Sequence, residues 1–208
     1  MVATKSIKET ILEELKTKEL VCIPASEEDY FSVAFDLPFK VEYHDSEIIT
    51  MGLATPTHEA LVMNMGTILN ILFGDTDNLF VYGSNVGVQI PKFEGGYYLP
   101  DVLVVRDEPI FKAHSTAIIT NPYIIVEVLS KSTEDFDVTE KLHEYKLLPS
   151  LQQVIFVNQK RVGVMSYLRS ENPEIWLNQD FYKETDQIMI ENSPILLKEI
   201  YKKVKFQK

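Results

Sequence analysis

Signals for helices occur at three places in the first third of the chain. Positions 7, 11, 12 and 15 are apolar, and this spacing predicts a helix over about residues 5–19. Ser26 and Asp29 match an N-cap and its partner three residues later, so a second short helix is expected. Thr57 is the expected cap of a third helix, whose apolar stripe ends at Gly74.

Strand patterns dominate the middle of the chain. FKVEYHD and EIITMG predict a hairpin that turns at Asp45-Ser46. LFVYGSNVGVQIP and YYLPDVLVV predict further strands on either side of KFEGG, where Gly95-Gly96 can form a tight turn. The apolar run Tyr123–Leu129 predicts a buried strand.

The second half of the chain mixes a helix with more strands. A helix is expected from about residue 134 to 148, ended by Pro149. QQVIFVN and RVGVMSYL predict a hairpin that turns at Gln159-Lys160, and weaker strands are expected near 174–177 and 187–190. A last helix is expected over about residues 194–206.

This order of elements favours one α+β domain over residues 1–208, with helices 5–19 and 194–206 as extensions of its core. A hydrophobic fraction of 45% and a charged fraction of 25% are typical of a globular protein. Apolar stretches of the ~18 residues that span a bilayer are absent, and the N-terminus lacks a signal-peptide core. We therefore expect a cytoplasmic protein without a membrane partner.

The numbers of cysteine and histidine residues and the net charge limit the kinds of binding site that the chain can contain. One cysteine excludes an internal disulfide and a cysteine-based zinc cluster, and four scattered histidines argue against a zinc site. Any metal site must then use carboxylates, which favour Mg²⁺ or Mn²⁺. The net charge of −11 argues against coating nucleic acid, because binding to phosphates depends on Lys and Arg.

Glu127 is the most unusual residue in the sequence, because it interrupts the apolar run Tyr123–Leu129. A buried charge without a partner costs several kcal/mol, so a cation, a metal or a proton is expected beside it. Asp101 opens the apolar strand PDVLVV, which places it at the mouth of the sheet. Two non-functional interpretations stay open. Asp101 can belong to an ordinary Pro-Asp turn, and Glu127 can be a core carboxylate that is hydrogen-bonded to a hydroxyl or a lysine.

The helix after Glu127 supplies a basic residue. At 100° per residue, Lys141 falls within the inward apolar face of this helix and points toward the sheet, with Asp137 one turn earlier. The alternative is an i,i+4 ion pair on the surface. The apolar sector favours Lys141 reaching over Leu129 toward Glu127.

PDVLVV and PYIIVEVLSKSTEDFDVTEKLHEY resemble the Uma-type restriction-endonuclease family of the PD-(D/E)xK nuclease superfamily, and the resemblance covers roughly residues 28–167. It implies a restriction-endonuclease-like fold, with a mixed central β-sheet flanked by helices. It also implies a Mg²⁺-dependent (or Mn²⁺-dependent) endonuclease that hydrolyses DNA, with Asp101 and Glu127 as metal ligands. The superfamily lysine, two residues after the glutamate, is here Leu129, so the resemblance gives its place to Lys141, with Lys131 as a rival.

The resemblance also implies roles for the surrounding residues. Lys141 is expected to orient the attacking water or to stabilise charge on the phosphoryl group, and Asp137 to aim Lys141. Tyr145 is expected to pack in the core with its hydroxyl available at the rim of the site. Glu59 is a candidate third acid, although an acid in the first turn of a helix also offsets the macrodipole. His58 is a further candidate, for which a purely structural role is likewise the alternative. Lysines near the C-terminus are further candidates for phosphate contacts: Lys198, Lys202, Lys203, Lys205 and Lys208.

Three functional hypotheses follow. The first is a nuclease that binds DNA weakly and in a salt-dependent way, with a two-fold homodimer expected for cutting both strands. The second is a non-catalytic module that binds nucleic acid or protein and retains the nuclease fold, which the acidic charge favours. The third is a structural Glu127–Lys141 ion pair without a metal.

Overall fold

The computed structural model describes residues 5–91, 96–130 and 136–206. The helices are α1 (Ile7–Glu14), α2 (Glu27–Ala34), α3 (Pro56–Phe73), α4 (Leu142–Tyr145) and α5 (Leu197–Ile200), and a π-helical turn, Asp137–Lys141, leads directly into α4. The strands are β1 (Leu20–Pro24), β2 (Val41–His44), β3 (Glu47–Met51), β4 (Leu79–Gly83), β5 (Gly87–Gln89), β6 (Tyr97–Tyr98), β7 (Val102–Arg106), β8 (Ile118–Ile119), β9 (Pro122–Leu129), β10 (Gln153–Asn158), β11 (Val164–Arg169), β12 (Trp176–Phe181), β13 (Gln187–Ile190) and β14 (Ser193–Leu196).

The core is a six-stranded mixed sheet in the order β12-β11-β10-β9-β7-β4. Strand β9 runs parallel to β10 and antiparallel to β7. All eight residues of β9 are buried, because the sheet is covered on both faces. This confirms the expected mixed central sheet and the central position of the strand that carries Glu127.

Helices lie on both faces of this sheet, as expected for the fold. On one face α3 and α5 pack through Leu61, Met65 and Ile200 against β7 and β9. On the other face Leu142 and Tyr145 of α4 pack against Leu103, Ile125 and Phe156. The two apolar clusters fix the sheet between the helices, and they leave Glu127 as the one charged side chain of β9.

A second six-stranded sheet, in the order β1-β3-β2-β6-β5-β8, was not predicted. Apolar residues of β2, Val41 and Tyr43, face a cluster built with α1 and α2. The stretch YYLPDVLVV, expected to be one strand, is divided between the two sheets as β6 and β7. Pro100 lacks an N–H and cannot continue a ladder, so the chain crosses between the sheets at Pro100-Asp101.

Several predicted boundaries are confirmed. Ser26 caps α2 and exchanges both capping-box hydrogen bonds with Asp29. The β2–β3 hairpin turns at Asp45 and Ser46, which both have positive φ. Strands β10 and β11 pair as the expected antiparallel hairpin, and β13 has the predicted bounds.

Thr57 is not the cap of α3, contrary to the prediction. The N-cap is Thr55, whose hydroxyl accepts a hydrogen bond from the His58 N–H, and Pro56 occupies the first helical position. Proline favours that position because its φ is preset and its missing N–H would have no intrahelical partner. The shift of two residues makes His58 the third residue of the helix instead of the first.

The predicted C-terminal helix over 194–206 is also wrong. Ser193–Leu196 pairs with β13 as strand β14, with Ile188 opposite Ile195, and helix is confined to Leu197–Ile200. Burial of Ile188 and Ile195 against the core stabilises the hairpin. Strands β1 and β8 were not predicted, and α1 is shorter than expected.

Two expectations fall wholly or partly outside the described residues. Gly95 of the expected tight turn and residues 131–135, which include the start of the predicted 134–148 helix, are not described. Among the helices that are described, none combines the length with the apolarity that a bilayer span demands.

Candidate active site

Asp101 and Glu127 come from neighbouring central strands. Asp101 directly precedes β7, whose first residue, Val102, lies opposite Val126 of β9. The Asp101 carboxylate accepts a hydrogen bond from the Val128 N–H at 2.8 Å, and both acids are buried, 2% and 4% exposed. The crossing between the sheets therefore fixes Asp101 beside Glu127, and the structure brings the two predicted acids together.

Glu127 has two donors on its Oε1 atom. The Tyr145 hydroxyl donates at 2.7 Å, and the Lys141 ammonium lies at 3.4 Å. Lys141 thus reaches over the sheet toward Glu127 as its position on the helical wheel indicated. The hydroxyl of Tyr145 is fully inside the site rather than at its rim, because the ring packs in the core.

Lys141 and Asp137 are the two ends of the π-helical turn. Lys141 is 3.4 Å from Asp137 Oδ1, and both side chains are buried. The pair is therefore not an exposed i,i+4 ion pair. Short π-helical segments often occur at functional sites, and here the turn presents both charged groups to the sheet.

A row of polar residues on β2, missed in the sequence, completes the cluster. Lys40 precedes the strand, and its Nζ lies 2.5 Å from Asp101 Oδ1. Glu42 Oε1 accepts hydrogen bonds from Lys141 at 3.0 Å and from the Leu99 N–H at 2.8 Å; its Oε2 lies 2.9 Å from Lys141 Nζ without hydrogen-bond alignment. The second sheet thus lends the site both a cation and a carboxylate.

The same face of β2 continues to His44. Its Nε2 lies 2.8 Å from Glu144, which also accepts a hydrogen bond from the Tyr98 hydroxyl at 2.6 Å. The Lys141 ammonium lies 4.9 Å from the centre of the Tyr98 ring. Polar and apolar residues alternate visibly in KVEYH, but the polar face of a strand usually faces solvent. That this polar face is directed into the protein becomes clear only from the second sheet.

His58 joins the site, whereas Glu59 contacts it only indirectly. His58 Nε2 lies 3.2 Å from Asp101 Oδ2, and its Nδ1 lies 3.5 Å from Glu59 Oε1. The Glu59 side chain is 61% exposed. Glu59 therefore does not contact the carboxylate pair in this structure, whereas the buried Glu42 is linked to Glu127 through Lys141.

Lys131 and the C-terminal lysines, the remaining candidates, show no contact with the site among the described residues. Lys131, the rival of Lys141, lies outside the described residues. The described C-terminal lysines do not line the cavity at the carboxylates, and Lys208 is not described.

The two carboxylates have opposite pKa shifts. Burial raises the pKa of Asp101, but the Lys40 charge and the His58 hydrogen bond outweigh burial and hold that pKa well below its usual range. Burial raises the pKa of Glu127 above its usual value, and the opposing charge of Lys141 does not fully compensate. Divergent pKa values in one cleft are characteristic of functional sites.

Both acids line a cavity of about 990 Å³. Lys40, His58 and Lys141 line it too, and its wall includes the exposed apolar side chains Phe35 and Leu53. A space of this size is at the upper end of ordinary ligand pockets. The cluster is therefore accessible to a substrate although its charged groups are buried.

The charge of the cluster suits a divalent cation. Four buried carboxylates meet two lysines: Glu42, Asp101, Glu127 and Asp137 against Lys40 and Lys141. With all four carboxylates ionised, the formal charge of the cluster is −2, or −1 when His58 is protonated. In the described part of the chain no three His, Cys, Asp or Glu side chains are arranged to hold a metal between them. A hard cation would thus use the Asp101–Glu127 pair and complete its coordination with water and phosphate oxygens, as Mg²⁺ commonly does.

Comparisons with known proteins agree with this fold. The model of a family described as "Uma2: Putative restriction endonuclease" matches residues 27–194. An uncharacterized protein of Synechocystis sp. is 33% identical over 150 residues, 72% of this chain and 82% of that protein. A second one from the same organism is 30% identical over 155 residues, 74% and 77% of the two chains.

A solved structure shares the fold. It is described as a putative nuclease belonging to DUF820 from Anabaena variabilis, with a TM-score of 0.68 and 16% sequence identity. The match covers 86% of this chain and 98% of the other.

Proposed function

Because the chain belongs to the Uma2 restriction-endonuclease family, we propose that it is a metal-dependent endonuclease that hydrolyses phosphodiester bonds in DNA. The observation that carries this proposal is the pairing of Asp101 and Glu127 on adjacent strands, at a cavity that Lys141 also lines. The cytoplasmic location and the two-fold homodimer remain predictions.

Asp101 and Glu127 are the proposed ligands of Mg²⁺ or Mn²⁺. When bound, such an ion supplies polarisation of the scissile phosphate and lowers the pKa of a bound water. Asp101 is suited to this role because its lowered pKa keeps it ionised. The hydrogen bond from the Val128 N–H fixes its carboxylate against the sheet.

The remaining residues hold the charges in position. Tyr145 and Lys141 orient Glu127 through its Oε1 atom. Lys141 is in turn held by Glu42 and Asp137, and its positive charge, which lines the cavity, would stabilise negative charge that develops on the phosphoryl group. Asp137 therefore acts through Lys141.

The exposed apolar side chains of the cavity wall support a nucleic-acid substrate. Phe35 is 74% exposed and Leu53 is 89% exposed. An exposed aromatic ring can stack on a nucleobase without reading its sequence. Binding through phosphates alone should be weak and salt-dependent because the chain carries a net charge of −11.

A non-catalytic binding module is the second candidate. The observation that favours it is the Lys40–Asp101 pair, which already balances one of the two proposed ligands. Cleavage distinguishes the two functions, because a binding module retains the cavity but performs no hydrolysis.

The test is cleavage of supercoiled, linear duplex and single-stranded DNA by the purified protein at low salt. We expect cleavage with Mg²⁺ or Mn²⁺, none with EDTA, and a steep decrease as salt is added. Cleavage that persists in EDTA would refute the metal-dependent mechanism. Binding without cleavage under all conditions would favour the binding module.

A further inference from the structure

Asp101 has a nearly complete set of hydrogen-bond donors in this structure. Lys40 contacts Oδ1 at 2.5 Å, while the Val128 N–H and His58 Nε2 contact Oδ2 at 2.8 and 3.2 Å. A carboxylate offers about four lone-pair positions, so three are in use. The remaining position is on Oδ1, so a metal that binds there meets the Lys40 ammonium, whose like charge repels it.

Glu127 differs from Asp101 in this respect. Its donors, Tyr145 and Lys141, both reach Oε1, and no donor in the described part of the chain reaches Oε2. Glu127 can thus offer an oxygen to a cation without losing a hydrogen bond. The competition is confined to Asp101.

The two lysines of the cluster are held very differently. The Lys141 side chain is 4% exposed and lies within 3.4 Å of three carboxylates. The Lys40 side chain is 23% exposed, and its one ion pair among the described residues is with Asp101. Lysine is a point charge on a flexible four-carbon chain, so Lys40 can leave Asp101 toward the cavity whereas Lys141 is fixed.

We propose that Lys40 is the resident counter-ion of Asp101 and that a divalent cation displaces it from Oδ1 when it binds. This inference rests on the proposed function, since it takes Asp101 as a metal ligand. Lys40 stabilises the metal-free protein by balancing a buried charge. Once displaced, its ammonium remains in the same cavity, where it faces the phosphate of a bound substrate.

The first measurement is titration of the whole protein with MgCl₂ by isothermal titration calorimetry. Lys40→Met should bind Mg²⁺ at least about fivefold more tightly than the wild type, because the metal no longer competes with a charged hydrogen bond. The matched control is Lys18→Met, which removes the same charge from a lysine that lines the same cavity. Lys18 pairs with Glu14 and its side chain is 58% exposed, so the Lys18→Met protein should bind Mg²⁺ with the affinity of the wild type.

The second measurement is the unfolding temperature in EDTA and in saturating Mg²⁺. Lys40→Met should unfold at a lower temperature than the wild type in EDTA, and Mg²⁺ should abolish this difference, since the metal takes the place of the ammonium. A difference that persists in Mg²⁺ would overturn the proposal, because Lys40 would then keep its contact in the metal-bound protein.

The outcomes separate this inference from the function on which it rests. Equal Mg²⁺ affinity in Lys40→Met and the wild type would refute the displacement of Lys40 but leave the proposed metal site unaffected. Absence of Mg²⁺ binding in both proteins would refute the metal site itself, and the role of Lys40 with it. Tighter binding in Lys40→Met, together with metal rescue of its unfolding temperature, would establish Lys40 as the resident counter-ion.

Discussion

Replacement of Lys141 with methionine should destabilise the protein strongly, even in the absence of metal. The ammonium lies 3.0 Å from Glu42 Oε1 and 3.4 Å from both Glu127 and Asp137. Methionine keeps most of the apolar volume of the side chain but leaves these three carboxylates without their shared cation. Glu42 belongs to the second sheet and Glu127 to the central sheet, so the loss of Lys141 weakens the contact between the two sheets.

The size of the effect follows from distance and burial. At 3.4 Å and an effective dielectric constant of about 20, one pair of unit charges is worth about 5 kcal/mol before desolvation is counted. Desolvation cancels much of this attraction in the intact cluster, whereas removal of one partner of a buried pair costs about 3–5 kcal/mol. For a chain of this size, that loss lowers the unfolding temperature by about 6–20 °C.

Urea unfolding of metal-free protein, with the chelator present throughout, measures the loss directly. Lys202→Met is the matched control: Lys202 is 67% exposed and lies 3.8 Å from Glu199, so its loss should cost less than about 1 kcal/mol. Adding Glu42→Gln to Lys141→Met should recover about 0.5–3 kcal/mol by removing one of the uncompensated charges. A Lys141→Met protein as stable as Lys202→Met would refute the view that Lys141 balances the buried carboxylates.

Two further predictions concern His44 and Phe35. The hydrogen bond to Glu144 raises the pKa of His44 above its usual value of 6.5, so its contribution to stability is complete below about pH 6.5 and is lost as the pH rises through the folded-state pKa. The free energy of unfolding of the wild type, relative to His44→Gln, should therefore decrease as the pH is raised; a pH-independent difference would contradict this. Phe35→Ala should weaken binding of labelled single-stranded DNA by about 1–3 kcal/mol. Ile71→Ala, on an exposed residue of α3 outside the cavity lining, should leave binding unchanged, and equal losses in both would contradict stacking on Phe35.

The central part of the site was predictable because burial and charge conflict visibly in the sequence. An acid within a strand whose other six residues are apolar indicates a buried carboxylate, and a lysine within the apolar sector of the next helix indicates its partner. Glu127 and Lys141 lie as this argument requires. The order of strand and helix patterns predicted only the α+β class. The mixed central sheet with helices on both faces was expected from the family resemblance.

The contribution of β2 could not be predicted from local patterns. Lys40, Glu42 and His44 alternate with apolar neighbours as the solvent-facing side of an ordinary hairpin does. Their inward orientation depends on the second sheet, to which YYLPDVLVV contributes β6 because this stretch is divided at Pro100. Such long-range pairing between β2 and β6 leaves no periodic signal in either segment.

Pro56 explains why the cap of α3 is Thr55 and not Thr57 as predicted. Ser and Thr residues are common caps, and both Thr55 and Thr57 precede the apolar stripe of α3. Pro56 favours Thr55, because proline is preferred at the first helical position and occupies it when Thr55 is the cap. With Thr55 as the cap, His58 is placed toward Asp101.

The most direct test of the central claim is cleavage of DNA by Asp101→Asn and Glu127→Gln in Mg²⁺. Both substitutions preserve side-chain shape while removing the charge that the metal needs. We predict that each variant keeps the circular dichroism spectrum of the wild type but loses cleavage by at least about a hundredfold, since several kcal/mol of transition-state stabilisation disappear. Glu174→Gln, at an exposed position, should cleave like the wild type. Cleavage at wild-type rates by Asp101→Asn or Glu127→Gln would contradict the assignment of these two carboxylates as the catalytic pair.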